Sequence, residues 1–193
     1  GYLQSLGDRA EESILFMHYG SHHKCILLEG GRICRCRTSV TGELMMAVSQ
    51  HTILKNSLVP IHEVNPDPAW VGKGAEAAAL AGFGRAVFSA RVLETMLKCG
   101  KQAATSFLLG ALVSMDLHLA SEMITEDTKR IVLYGKELFP SISAPFLKDR
   151  YPHLMLDFVS EADSDRLSAI GAAILYERFK VIGQSTASSG QTK

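Results

Sequence analysis

The chain has 193 residues, 47% hydrophobic and 21% charged, so it can bury a core of its own and is not a disordered or low-complexity chain. Twenty Lys and Arg balance twenty Asp and Glu. A formal net charge of zero gives no electrostatic basis for holding nucleic acid or a membrane surface, and neither is expected as a partner. Cys25, Cys34, Cys36 and Cys99 form no C-x-x-C pair and follow no secretory segment, so they read as reduced thiols of a cytoplasmic protein. No apolar run reads as long enough to cross a bilayer.

In chain order, residues 1–12 read as the remnant of a segment joined to something earlier, since Gly1 is not a natural start. Three strand-like runs follow: Ile14–Tyr19, Cys25–Leu28 and Ile33–Val40. Glu29-Gly30-Gly31-Arg32 is a strong hairpin signal, because paired glycines permit the positive φ angles of tight turns. The three runs therefore predict an antiparallel meander. Thr41-Gly42-Glu43 opens a helix to about residue 55, with the Thr41 hydroxyl in the capping position. Pro60, Pro66 and Pro68 predict a loop, and helices are expected over 74–83 and 85–98, the latter with Leu93, Met96 and Leu97 on one face.

Leu108, Ala111, Leu112, Met115 and Leu119 follow the helical i, i+3, i+4, i+7 rule and mark the clearest helix. Ile131–Tyr134 reads as a short buried strand ending at Gly135, 141–149 as a short helix and Leu154–Val159 as a last strand. Leu167, Ile170, Gly171, Ile174 and Leu175 mark a final helix, and a Ser-, Thr- and Gly-rich tail over 181–193 reads as disordered. The order β-β-β-α, a helical insertion, then β-α-β-α predicts an α/β lobe over 13–180, with a mixed sheet and helices on both faces.

Gly20-Ser21-His22-His23-Lys24 is the most informative stretch for chemistry. Gly20 allows a tight turn, successive N–H groups there can form an anion nest, Ser21 adds a hydroxyl and Lys24 a point charge. Phosphoryl transfer needs such positioning and charge stabilisation. A plain hairpin turn with polar tips fits the same spacing. Thr41-Gly42-Glu43, at a strand-to-helix junction, can hold an anion or simply start a helix, with Arg37 and Thr38 upstream aimed at the site or at solvent. Gly135-Lys136 closes a strand where ligands commonly sit in α/β sheets, or else is a turn. His22, His23, Cys25, Cys34 and Cys36 match no zinc spacing, and Ser21 beside His22 makes no triad, so no resident protein-held metal is expected. Neither a Walker motif nor a G-x-G-x-x-G fingerprint occurs.

Tyr19-Gly20-Ser21-His22-His23-Lys24, followed by Arg37-Thr38-Ser39-Val40-Thr41-Gly42-Glu43-Leu44, resembles the 2-dehydro-3-deoxygalactonokinase family, which carries a Gly-Thr-His-x-Lys turn and an Arg-Thr-x-x-Thr-Gly-Glu-Leu stretch at similar separation. Ser106–Leu112 is similar to a helix of that family, and the likeness runs from about residue 14 to 179. The resemblance implies the actin-like, sugar-kinase and Hsp70 superfamily, with two ribonuclease-H-like lobes and a cleft between them. It implies phosphorylation of 2-dehydro-3-deoxy-D-galactonate in galactonate catabolism, with ATP and Mg²⁺.

By the resemblance, Gly20, Ser21, His22 and Lys24 bind phosphate, Arg37, Thr41, Gly42 and Glu43 face the cleft, and Gly135 and Lys136 bind the nucleotide. Ser21 stands where the family has Thr, Cys25 where it has Trp, and Tyr134-Gly135-Lys136-Glu137 where it has a smaller turn. The family's first phosphate loop, Asp-x-Gly-[ST], has no counterpart here, so the expectation is the C-terminal lobe of a kinase, inactive alone and partnered by an N-terminal lobe and a sugar acid. The catalytic base is unassigned, and homo-oligomers remain open. The alternative expectation is a non-catalytic binding or regulatory module that retains the lobe.

Overall fold

The structure, a computed structural model, describes residues 1–188. Strands β1 (Ser13–Tyr19), β2 (His23–Glu29) and β3 (Arg32–Ser39) form the expected antiparallel meander. Gly30 and Gly31 turn the second hairpin with φ of 56° and 69°. Helix α2 (Thr41–His51) follows, and then α3 (Pro68–Ala81), α4 (Phe83–Thr95) and α5 (Lys101–Met123). Strand β4 (Thr128–Gly135), helix α6 (Leu138–Arg150), strand β5 (Met155–Val159) and helix α7 (Glu161–Ser188) complete the order. Strand β4 pairs parallel to β1 and β5 pairs parallel to β4, giving one mixed five-stranded sheet in the order β3-β2-β1-β4-β5.

Burial explains the patterning. In β2, His23, Cys25 and Leu27 face the main core while Lys24 and Ile26 alternate to the other side. Strands β1 and β4 are covered on both faces and read as continuous apolar runs, as central strands do. Helix α5 lies at the centre of the main core, with Leu108, Leu109, Ala111, Leu112 and Val113 fully buried. It is long and apolar enough to cross a membrane, contrary to the sequence expectation, yet 72% of its apolar window is buried within this fold.

The second face of the sheet is covered by helix α1 (Tyr2–Leu6) and the 3-10 turn after it. Residues 1–12 thus pack on the sheet, with Leu6 buried against Ile14, Phe16 and Val132. Arg130 is buried between Glu12 and Asp157, and the Tyr2 hydroxyl donates to Asp157 Oδ2 at 2.7 Å. This ties the first dozen residues to β4 and β5.

Several element limits differ from the sequence expectation. Helix α3 starts at Pro68, because Asp67 caps it by accepting from Ala69 N at 2.8 Å and proline suits a first helical position. Helix α4 stops at Thr95, and Lys98 and Gly100 adopt φ of 55° and 85°, so Met96 and Leu97 are exposed and form no core face. Helix α2 ends at His51, followed by a 3-10 turn over Ile53–Ser57. Helix α7 continues over 181–188, the first part of the expected disordered tail; the remainder of that tail lies outside the described residues.

Candidate functional site

The site forms where the carboxyl ends of β1 and β4 lie side by side, with Tyr19 in register with Gly135. Gly135 has a φ of 112°, and a side chain there would overlap the Tyr19 carbonyl oxygen. The Lys136 N–H donates to that same oxygen at 3.0 Å. Beyond Tyr19 the chain makes the Gly20–His22 turn, and the first turn of α2 packs directly on it. A Cβ at Gly42 would overlap Gly20 O and stand 2.6 Å from Ser21 O. The Glu43 N–H donates to Ser21 O at 3.0 Å.

A pocket of about 390 Å³ opens there. Tyr19, Gly20, Ser21, Gly42, Glu43 and Lys136 line it together with Met45, Met46, His51, Ile61, Leu138 and Phe139. One side is therefore polar backbone and hydroxyl and the other apolar, which suits a ligand with a charged end and a flat or apolar end. Burial pushes the Tyr19 phenol well above its usual range, so it stays un-ionised.

The structure brings together five of the expected site residues, Gly20, Ser21, Gly42, Glu43 and Lys136, and uses Gly135 to shape the wall. His22 is half-exposed, its Nε2 2.8 Å from Glu43 Oε1. Lys24 does not line the pocket, because strand periodicity sends it to the other face from His23. Its Nζ donates to His22 O at 3.2 Å, and its charge, after burial, holds the neighbouring His18 below the usual imidazole range. Arg37 is exposed on the edge strand β3 and does not line the pocket either.

Thr41, expected at the cleft, does not line the pocket and is fully buried. Its hydroxyl does not cap α2, whose cap is Val40, because it is committed to a buried carboxylate that needs donors. That carboxylate is Asp116 of α5, 1% exposed. Asp116 Oδ1 accepts from Thr41 Oγ1 and Ser39 Oγ at 2.9 Å each, and Oδ2 lies 2.6 Å from His23 Nδ1. His23 is 2% exposed and packs against Tyr19 and Phe139 at 5.0 and 4.6 Å between centroids.

Sequence reasoning missed Asp116, although a signal exists. It stands four residues after Leu112, on the very face of the helix that the apolar periodicity assigns to the core. Cys25 is buried while Cys34 and Cys36 are exposed, and among the described residues no three His, Cys, Asp or Glu side chains stand together as a metal site.

The profile of a protein family described as 2-keto-3-deoxy-galactonokinase matches residues 1–151. The match takes in the first dozen residues and stops before β5 and α7. A search of curated proteins finds no match. Among solved structures, a Sinorhizobium meliloti protein assigned as a 2-dehydro-3-deoxygalactonokinase superposes with a TM-score of 0.64 at 22% identity, covering 90% of this chain. The chain spans 58% of the length of that protein. At that identity the superposition shows a shared fold, whereas the family profile extends over most of the sequence. The chain belongs to the 2-keto-3-deoxy-galactonokinase family.

Proposed function

We propose that this chain is the C-terminal, ribonuclease-H-like lobe of an ATP-dependent kinase that phosphorylates 2-dehydro-3-deoxy-D-galactonate, completed by a second lobe across the cleft. One observation carries the reading: the Gly20–His22 turn, the start of α2 and Gly135-Lys136 converge on one pocket at the carboxyl ends of parallel strands. The sheet order and the 58% coverage of the related solved structure support the lobe assignment.

The residues present fit a nucleotide phosphate end. The Ser21 hydroxyl can donate to a phosphate oxygen, and Lys136 brings a positive charge to the same pocket. Gly42 lets the first turn of α2 pack directly on the backbone of Gly20 and Ser21, which fixes the loop that carries the Ser21 hydroxyl. The Glu43 carboxylate fits one ligand position of Mg²⁺, directly or through water, since Mg²⁺ takes most of its ligands from phosphates and water. ATP supplies the phosphoryl group that is transferred. The start of α2 contributes differently from the sequence expectation, because the Glu43 N–H is spent on Ser21 O and therefore sets the turn.

Among the described residues of the pocket, the carboxylate is Glu43, and it is already paired with His22. The base that takes the acceptor hydroxyl proton is therefore expected from the facing lobe, and the chain alone is expected to give no turnover. The test is ATP consumption by the full-length protein with and without the sugar acid. Turnover should require the sugar acid. Ser21→Ala and Lys136→Ala should each lower kcat/KM by roughly 10- to 100-fold, the range of a charge-assisted hydrogen bond. Lys24→Ala, off the pocket, should change it by less than about 3-fold. ATP consumption indifferent to the sugar acid, or turnover by the chain alone, overturns the proposal.

A further inference from the structure

We infer that Asp116 is a positioning residue that holds the Gly20–His22 turn against the start of α2, so that phosphate binding depends on a carboxylate that never touches the ligand. The inference rests on the proposed reading of the pocket as a nucleotide site. Its geometric part stands on the buried network alone.

Asp116 reaches three segments that converge on the pocket. His23, bonded through Nδ1, immediately follows the turn. Ser39 closes β3, and Thr41 immediately precedes Gly42, which packs on the turn backbone. One side chain on the core helix thus fixes both the end of the loop and the start of the helix that buttresses it. The two pieces could slide apart only by breaking bonds to a buried charge, and an unpaired buried carboxylate is costly.

Core filling does not require this arrangement, since well-packed apolar residues commonly replace a buried polar cluster at no loss of stability. His23 makes the point sharper. Its Nε2 is buried with no partner among the described residues, so its polar function in the fold is the bond from Nδ1–H to Asp116. The same ring packs edge-on against Tyr19 and Phe139, both of which line the pocket. Asp116 therefore orients the aromatic wall as well as the turn.

The test compares Asp116→Asn with Leu112→Ala in the full-length protein. Asparagine keeps the shape and the acceptor for Thr41 and Ser39 but cannot accept from His23 Nδ1–H. Leu112 lies one turn earlier on α5, is fully buried and belongs to no polar network, so its truncation only opens a cavity. The readouts, at a temperature well below both melting points, are ADP affinity by calorimetry and amide hydrogen exchange over 20–23 and 42–43. Asp116→Asn should weaken ADP binding by about 10-fold or more and speed exchange in both segments. Leu112→Ala should lower the melting temperature and leave both readouts unchanged.

Thr41→Val, which keeps the shape and loses the hydroxyl, should give a smaller loss of the same kind, and Thr41→Ser should restore it. That pair decides the matter if Asp116→Asn does not fold. Wild-type binding and exchange in Asp116→Asn or Thr41→Val, or equal loosening by Leu112→Ala, overturns the inference. A wild-type protein that binds no ADP sinks the nucleotide reading, and the exchange arm then decides the positioning role by itself.

Discussion

Gly42→Ala tests the contact on which the pocket is built. The new Cβ would stand 2.6 Å from Ser21 O and overlap Gly20 O, both backbone atoms that cannot swing away as a side-chain tip could. Ordinary contact needs 3.4 Å or more, so the first turn of α2 and the loop must separate by roughly 1 Å. Overpacking of this kind costs about 1–3 kcal/mol. The Glu43 N–H to Ser21 O bond, now 3.0 Å, would stretch beyond useful range at a further cost of about 1 kcal/mol. The better helix propensity of alanine returns at most about 1 kcal/mol. The net expectation is a loss of about 1–3 kcal/mol, or roughly 3–10 °C in melting temperature for a chain of this size. Urea titration and thermal melting measure it. Gly72→Ala is the internal control: Gly72 lies in α3 with open space around its Cβ position, so alanine should stabilise by about 0.5–1 kcal/mol. If Gly42→Ala proves as stable as Gly72→Ala, the close approach is not part of the folded protein.

Three further outcomes are expected. Arg130→Ala should cost about 3 kcal/mol in urea unfolding, the low end for a broken buried pair, since Glu12 and Asp157 keep 28% and 32% exposure and can recover water; a loss under about 1 kcal/mol would contradict the pairing. Under native conditions a thiol reagent should modify Cys34, Cys36 and Cys99, which are exposed, and reach Cys25 only on unfolding. Burial pushes the Cys25 thiol up to about 12, so the folded protein resists its ionisation while the unfolded chain does not. That contribution to stability is complete below the unfolded thiol pKa of about 8.5 and is lost as pH rises through the folded value. Cys25→Ala should accordingly flatten the decline in stability above pH 9, and an unchanged slope would count against a buried thiol.

The meander was legible because its signals are local: alternating burial in β2 and a Gly-Gly turn need no knowledge of distant residues. The start of α3 was obscured by reading Pro68 as a breaker, although Asp67-Pro68 is also a cap followed by a first helical residue. Lys24 illustrates a different difficulty. Proximity in sequence to Ser21 suggests one site, yet the two-residue period of the strand turns it away. Thr41 reads as a cap until the partner for its hydroxyl arrives from α5, seventy-five residues later. Asp116 breaks an apolar stripe, and that anomaly is visible in the sequence, but its partners are not. Gly135 could be seen to end a strand; that it lies against Tyr19 follows from the parallel pairing of β1 and β4.

That pairing also governs when the site can exist. The meander and α2 close through neighbouring residues, so the Gly20–His22 turn and its buttress can form early. The facing wall cannot, because Tyr19 and Gly135 are about 115 residues apart, and closing a loop of that length costs roughly 4 kcal/mol of chain entropy before any contact repays it. Non-local pairing of this kind slows folding. A refolding chain should therefore protect the amides of the first hairpins ahead of those at Gly135 and Lys136, and gain its ligand pocket only in the last phase. For a chain emerging from the ribosome, the turn would wait, formed but without its opposite wall, until β4 had been synthesised.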